Sequence, residues 1–379
     1  MELTELRDKI DDIDKQIVEL FCRRMKISHQ VSEYKIEHSL PVLDAGRERR
    51  KLAKIAEMAG EEYATYACTL YNTVFEVSRA EQEKLMHPVS RVGKKIKSAI
   101  DATPEIFPEF AHVACAGVEG AYAQIAAEKL FKVPDIKYCR DFEDVFRAIS
   151  MGECKYGVLP LENSTAGSVN RVYDLMMEYN FSIVRSTRVH IDHQLLAKPG
   201  VRLEDVREVF SHQQAISQSQ DFLEGLGVKV TPCLNTAAAA KMVAESERRD
   251  IAALSSRSCA QLYGLSVLRS SVQDKGNNHT RFICISAKPE IYPGADRTSI
   301  MVVTPHRPGA LYRVIARFNA LGINLGKLES RPIPDRDFEF MFYFDLEASV
   351  YSPRFIQLMN ELENMSDDFR YLGSYSEII

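Results

Sequence analysis

The chain has 379 residues, 45% hydrophobic and 27% charged, with a formal net charge of −5. That length predicts two to three soluble domains, and the charge balance supplies no global basic field for nucleic acid. No apolar run is long enough to span a bilayer, and Glu2, Glu5, Arg7 and Asp8 argue against a leader segment after Met1.

Residues 1–87 carry helical periodicity throughout, with glycine only at 46 and 60 and proline only at 41. Leu3, Leu6, Ile10, Ile13, Ile17 and Leu20 mark the apolar stripe of a first helix over Thr4–His38. A second helix is predicted to start near Asp44 and a third to cover Glu62–Leu85. A helix of about 35 residues is roughly 50 Å long. Two shorter neighbours cannot bury such a stripe, so two copies of the chain are expected to pair as a helical dimer.

Residues 88–108 read as a solvated basic tether, broken by Pro88, Pro104 and Pro108 and carrying Arg91, Lys94, Lys95 and Lys97. Residues 109–288 alternate short apolar runs with helical patterns. Strands are predicted at His112–Val118, Tyr156–Leu161, Phe181–Val189, Glu208–Phe210, Lys229–Thr231, Ile251–Leu254 and Arg281–Ser286. Helices are predicted at Tyr122–Phe131, Phe142–Ser150, Val169–Tyr179 and Thr236–Ala244. This is an α/β pattern, expected to form two lobes with a ligand cleft at the carboxyl ends of the strands. Residues 298–375 read strand–helix–strand–strand–helix–strand, the order of a ferredoxin-like α+β sandwich. Its strands are expected at Ser299–Val303, Asn324–Ser330, Phe338–Leu346 and Phe369–Tyr375, its helices from Pro308 to Leu321 and at Pro353–Met365.

The eight cysteines are scattered without a CxxC pair, which fits a reduced, cytoplasmic protein better than a disulfide frame or a zinc site. His190 and His193 are the closest histidine pair, but strand-like flanks argue against a metal there.

Two cations interrupt the first helix's apolar stripe. After Leu20 the periodicity asks for an apolar residue at 24 and finds Arg24; Lys35 returns to nearly the same face. They stand roughly 16 Å apart along the axis, enough to bracket a small anion between them. Asp44, Arg47 and Glu48 share one face of the second helix, and Ser78 and Gln82 one face of the third. Arg7 lies about 100° around the first helix from Arg24 and is better placed to reach the pocket of a second copy.

This order of residues resembles the all-helical chorismate mutase family, through Leu6–Ile10, Asp14, Arg24, Lys35, Pro41-Val42, Asp44, Arg47-Glu48, Ser78 and Gln82. The resemblance implies an intertwined dimer of three-helix chains that rearranges chorismate to prephenate, with no cofactor and no metal. It also implies that Arg24 and Arg7 of a second copy grip carboxylates and that Lys35 and Gln82 address the ether oxygen. Asp44, Arg47, Glu48 and Ser78 would complete the site.

In the α/β segment, polar clusters follow strand ends at Gly117–Gly120, Pro160–Ser164, Ser211–Gln214 with Gln218, and Asn278–Phe282. Ser211 and His212 are adjacent on a strand end and point apart, and no GxSxG elbow is present, so a serine nucleophile is disfavoured. The clusters together resemble prephenate dehydratase, through Pro160-Leu161-Glu162-Asn163-Ser164 and Thr280-Arg281-Phe282 above all. That resemblance implies a periplasmic-binding-protein-like fold and loss of CO2 and the ring hydroxyl to give phenylpyruvate, with Thr280 as hydroxyl donor. Asn163, Ser164, Ser211, His212, Gln218, Arg281 and Phe282 are then expected to hold prephenate. One departure is Ala121-Tyr122-Ala123, where the family usually has Thr-Phe-Ser.

Gly309-Ala310-Leu311-Tyr312 and Glu329-Ser330-Arg331-Pro332 resemble the two signature runs of the ACT domain. The resemblance implies phenylalanine binding at a subunit interface, with inhibition. The three segments agree on one pathway: a mutase over 1–87, a dehydratase over 109–288 and an effector domain over 298–375. The alternatives are one surviving activity, the dehydratase being weakened at Ala121 and Ala123, or an amino-acid sensor without catalysis. Neither nucleic acid nor a membrane is expected as a partner.

Overall fold

The computed structural model describes residues 2–86, 90–333 and 339–379. The chain divides into two units: Met1–Lys95 with Ile356–Asp368, and Ile96–Phe355 with Phe369–Ile379. Among the described residues, no helix is long and apolar enough to cross a membrane.

The first unit is built on α1 (Leu3–Glu37) and α2 (Ala45–Met86). α2 corresponds to the two helices expected after Pro41. They run together except at Gly60, whose φ of 73° and ψ of 167° break the helical path. That backbone region is open to glycine and costly for a residue with a Cβ. A third helix, α3 (Arg91–Ala102), corrects the reading of 88–108 as a solvated tether. Val92, Ile96 and Ala99 recur at i, i+4 and i+7 and are buried, so the segment has an apolar face that its lysines obscured. Pro88 lies outside the described residues. Pro104 and Pro108 do lie beyond the helix, and Phe107 between them is buried against Phe131, Tyr156 and Tyr292.

The second unit starts with a lobe containing β1 (Phe110–Ala116), α4 (Tyr122–Leu130), β2 (Val133–Cys139), α5 (Phe142–Ser150), β3 (Tyr156–Asn163), β4 (Gly167–Ser168), α6 (Asn170–Tyr179) and β5 (Ser182–His190). The chain then crosses to a second lobe of β6 (Gln194–Ala197), β7 (Glu208–His212), α7 (Gln213–Ser217), α8 (Gln220–Leu226), β8 (Lys229–Cys233), α9 (Thr236–Glu245), β9 (Ile251–Ser255), α10 (Arg257–Leu262) and β10 (Ser266–Arg269). It returns to the first lobe with β11 (His279–Ser286). The second lobe's sheet has the order β10-β6-β9-β7-β8. In the first lobe β2, β1 and β3 are parallel, while β11 lies antiparallel between β3 and β5. Two segments connect the lobes and pair with each other: Ile191 N donates to the Asn278 carbonyl at 2.8 Å and Val272 N to the His193 carbonyl at 2.9 Å.

The remaining elements are β12 (Arg297–Val303), α11 (Ala310–Ala320), β13 (Asn324–Pro332), β14 (Phe340–Glu347), α12 (Pro353–Met365), β15 (Asp368–Tyr375) and β16 (Glu377–Ile378). Their sheet order, β13-β14-β12-β15, is that of the expected ferredoxin-like sandwich. The expected start of β14 at Phe338 lies outside the described residues. Met301, Val303, Met341, Tyr343, Leu372 and Tyr375 of this sheet share one apolar core with Leu161, Val172 and Tyr173 of the first lobe. The approach is close enough that a Cβ on Gly373, at φ +143°, would meet the Ile183 carbonyl oxygen at 2.1 Å. β16 then joins the first lobe's sheet beside β5.

Candidate active sites

In the first unit α1 and α2 bring Arg24, Lys35, Glu48, Ser78 and Gln82 together. Arg24 Nη1 donates to the Ser78 hydroxyl, and the guanidinium carbon lies 5.7 Å from the Phe75 ring centroid. Burial lowers the Arg24 pKa from its usual value, against the opposing pull of Tyr71 and Glu48. Lys35 Nζ donates to the Val42 carbonyl at 2.5 Å and to Gln82 Oε1 at 3.1 Å. Gln82 Nε2 donates to Ser28 Oγ at 3.0 Å, and Arg79 donates to the Glu48 carboxylate. Asp44 caps α2: its Oδ1 accepts from Arg47 N at 2.9 Å, which holds its carboxyl below the usual range. Asp44 and Arg47 are themselves exposed. Arg7 is exposed and about 25 Å from Arg24 along α1, so it takes no part in this cluster within one chain.

The second unit holds a cleft of ≈ 470 Å³ lined from both lobes. Asn163, His212, Gln218, Thr280 and Phe282 line it as expected. Three other candidates do not. Ser211 is fully buried and donates to the Leu254 carbonyl at 2.8 Å, bonding across to the neighbouring strand. Ser164 Oγ donates to the Asn277 carbonyl and accepts from His279 N, each at 3.0 Å, and so clamps two loops. Arg281 follows Thr280 on β11 and therefore faces the opposite side of the sheet. There it donates to Asp345 and, at 2.6 Å, to the Tyr375 hydroxyl, and it lies 3.7 Å from both Glu162 and Glu377. Burial opposes its charge, but Tyr375 and Asp345 raise its pKa on balance.

One chain of hydrogen bonds runs through the cleft floor. Asn163 Oδ1 accepts from the backbone N–H of Thr165 at 3.1 Å and of Ala166 at 2.9 Å. Those donors fix which end of the amide is oxygen. Asn163 Nδ2 must then donate to Thr280 Oγ1, 2.9 Å away, and to Asn278 Oδ1, 2.7 Å away. The Thr280 oxygen is thus an acceptor, which frees its own proton to point at a ligand.

In the ferredoxin-like segment, Gly309, Ala310 and Leu311 line a cavity of ≈ 520 Å³ together with His306, Tyr312 and Phe340. The second run does not line it. Glu329 accepts from Ser168 Oγ at 2.6 Å and Arg331 pairs with Asp174 at 2.9 Å, while Ser330 and Pro332 face outward on alternate positions of β13. Within one chain and among the described residues, therefore, the two runs do not build a common pocket.

Residues 6–83 match the family model for chorismate mutase type II, and residues 113–290 match that for prephenate dehydratase. A bifunctional chorismate mutase/prephenate dehydratase of Aquifex aeolicus is 32% identical over 382 residues, covering 100% of this chain and 99% of its own. The chain belongs to the bifunctional chorismate mutase/prephenate dehydratase family. An Arabidopsis thaliana chloroplastic arogenate dehydratase/prephenate dehydratase 2 is 38% identical over 275 residues, 69% of this chain and 72% of its own. Among solved structures, a prephenate dehydratase of Arthrobacter aurescens in complex with L-Phe is 27% identical, covers 70% of this chain and 89% of its own, and superposes with a TM-score of 0.64.

In the mutase-like helical region, spacing alone did not reveal Ser28 and Arg79, which orient Gln82 and Glu48. Arg79 sits one residue from Ser78 and so about 100° off the face that Ser78 and Gln82 share. In the dehydratase-like region the unforeseen cleft residues include Arg140, His193, Asn235 and Thr236. Arg140 is a solvent-facing cation on the cleft lip, paired with Asp144 at 2.9 Å. Ala121 and Ala123 both line the cleft, and Ala121, at the N-cap position of α4, gives that helix no side-chain cap.

Proposed function

We propose that this protein converts chorismate to prephenate in its helical unit and prephenate to phenylpyruvate in its two-lobed cleft, under feedback inhibition by phenylalanine. The observation that carries the reading is the coexistence in one chain of the half-buried Arg24–Lys35 pocket and the Asn163–Thr280 cleft. A sensor has no use for the first, and a single-step enzyme has no use for one of the two.

The rearrangement of chorismate is pericyclic and needs no nucleophile or proton transfer. Catalysis consists of holding the folded conformer and stabilising charge as the ether bond breaks. Arg24 takes one carboxylate. Lys35 and the Gln82 amide, which bond each other in the free chain, turn to the ether oxygen. Glu48, oriented by Arg79, and Ser78 meet the hydroxyl and ring, with Asp44 and Arg47 at the rim. Arg7 of a second copy supplies the remaining cation. Leu6, Ile10, Ile13, Ile17 and Leu20 support that pairing, since each is 43% exposed or more in a single chain and a contiguous exposed apolar stripe marks an interaction surface.

In the cleft, the C–COO⁻ bond of prephenate breaks, its electron pair makes the ring aromatic, and the C4 hydroxyl leaves as water after receiving one proton. Thr280 presents its hydroxyl proton to that leaving oxygen, and the Asn163 N–H stabilises the charge left on Thr280 until a proton from solvent restores the hydroxyl. Arg140 meets a substrate carboxylate at the lip; Phe282 supplies an apolar wall. Tyr122, whose hydroxyl donates to the Asp192 carbonyl at 3.0 Å, closes the wall beside Ala121 and Ala123. The pocket at Gly309–Leu311 and the outward-facing Ser330 suit an ACT effector site shared between subunits. Eight free cysteines fit a cytoplasmic setting.

The test is a coupled assay of the purified chain on chorismate, following prephenate and phenylpyruvate separately, with and without phenylalanine. Both products should form in sequence, and phenylalanine should slow the second, with S330A relieving the inhibition. Prephenate accumulating without phenylpyruvate would remove the dehydratase reading.

A further inference from the structure

The segment leading from β5 into the second lobe carries His193, a residue with no role in the reading above. It is 2% exposed and lines the cleft. Its Nε2 lies 3.2 Å from Gln218 Oε1.

The direction of that bond follows from a backbone anchor three residues away in the network. Thr165 N and Ala166 N fix Asn163 Oδ1 as an acceptor. Gln218 Nε2, at 3.2 Å from this same Oδ1 and 2.8 Å from Thr165 Oγ1, must therefore be the nitrogen end of its amide. Gln218 Oε1 is then an acceptor, taking one proton from Asn278 Nδ2 at 3.0 Å. It can take the second only from His193, so the imidazole carries its proton on Nε2. Burial lowers the His193 pKa from the usual 6.5, which keeps the ring neutral in that tautomer. Among the described residues, Nδ1 is buried without a hydrogen-bond partner. A hydrocarbon side chain would avoid that cost, so stability alone does not account for a histidine here.

Resting on the dehydratase reading, we infer that His193 is a positioning residue for the dehydration. Its Nε2–H holds the Gln218 amide with its nitrogen on Asn163 Oδ1 and Thr165 Oγ1. The second lobe thus joins the Thr165 and Ala166 backbone N–H groups in pinning the Asn163 amide that bonds Thr280 and leaves the Thr280 proton free to face the leaving hydroxyl. Gln218 comes from the second lobe, Asn163 and Thr280 from the first, and His193 from the crossing between them. The imidazole thus ties the orientation of the donor to the juxtaposition of the lobes.

Steady-state kinetics on prephenate with H193L, H193Q, T280A and the H193L/T280A pair test this. H193L should lower kcat about tenfold or more with little change in KM, because the donor is misaimed rather than the substrate released. H193Q, whose side-chain amide offers an N–H in the same place, should recover to within about threefold of wild type. In the T280A background H193L should cost almost nothing further, since the residue it acts through is gone. H193Q as slow as H193L, or a full additional loss in the double variant, overturns the relay while leaving Thr280 in place. T280A at the wild-type rate would remove Thr280 itself and the relay with it.

Discussion

Gln82 is the side chain on which the chemistry of the helical site turns. Its oxygen receives Lys35 and its nitrogen is free to exchange Ser28 for a substrate ether oxygen. A carboxyl group in its place donates only when protonated, and Lys35 beside it favours the ionised form. Q82E is therefore predicted to lose mutase activity at neutral pH and regain it as pH falls, while wild type shows no such rise; a matching pH profile would take Gln82 out of the reaction. Arg24 and Lys35 were legible in the sequence because cations on an apolar stripe are costly. Ser28, Arg79 and His193 were not. Each acts through a neighbour some 25 to 55 residues away, and nothing in their own segments is out of pattern.

At the scale of elements, β11 shows how one strand serves two faces. Thr280 and Phe282 look into the cleft, and Arg281 between them is held by Asp345 of β14 and Tyr375 of β15. The sequence motif placed all three in one site; the two-residue period of the strand separates them. Removing one member of a buried ion pair strands the other. R281M should therefore destabilise the fold by about 3 kcal/mol in denaturant titration, and pairing it with D345L should recover part of that loss. An R281M protein as stable as wild type would show that the pair contributes nothing. Most elements were legible from their periodicity, because long buried strands and amphipathic helices repeat cleanly. β2 escaped notice as a half-exposed edge strand containing Pro134 and Asp135, and β6 and β10 are only four residues long. α3 was hidden by its charges, although its apolar residues keep helical spacing.

At the scale of the whole molecule, two chemistries that share no residue lie on one chain. The product of the helical site is the substrate of the cleft, and the two family regions, 6–83 and 113–290, do not overlap. The architecture was legible because each segment carries its own period and its own polar clusters. The exposure of the α1 stripe and of the outward positions of β13 is visible only once burial is known. The most direct test is to assay R24A and T280A separately on chorismate and on prephenate, then mixed on chorismate. R24A should lose prephenate formation but dehydrate added prephenate, T280A should do the reverse, and the mixture should again produce phenylpyruvate from chorismate. Loss of both activities in either folded variant, or a mixture that stays silent, would contradict two independent sites in one chain.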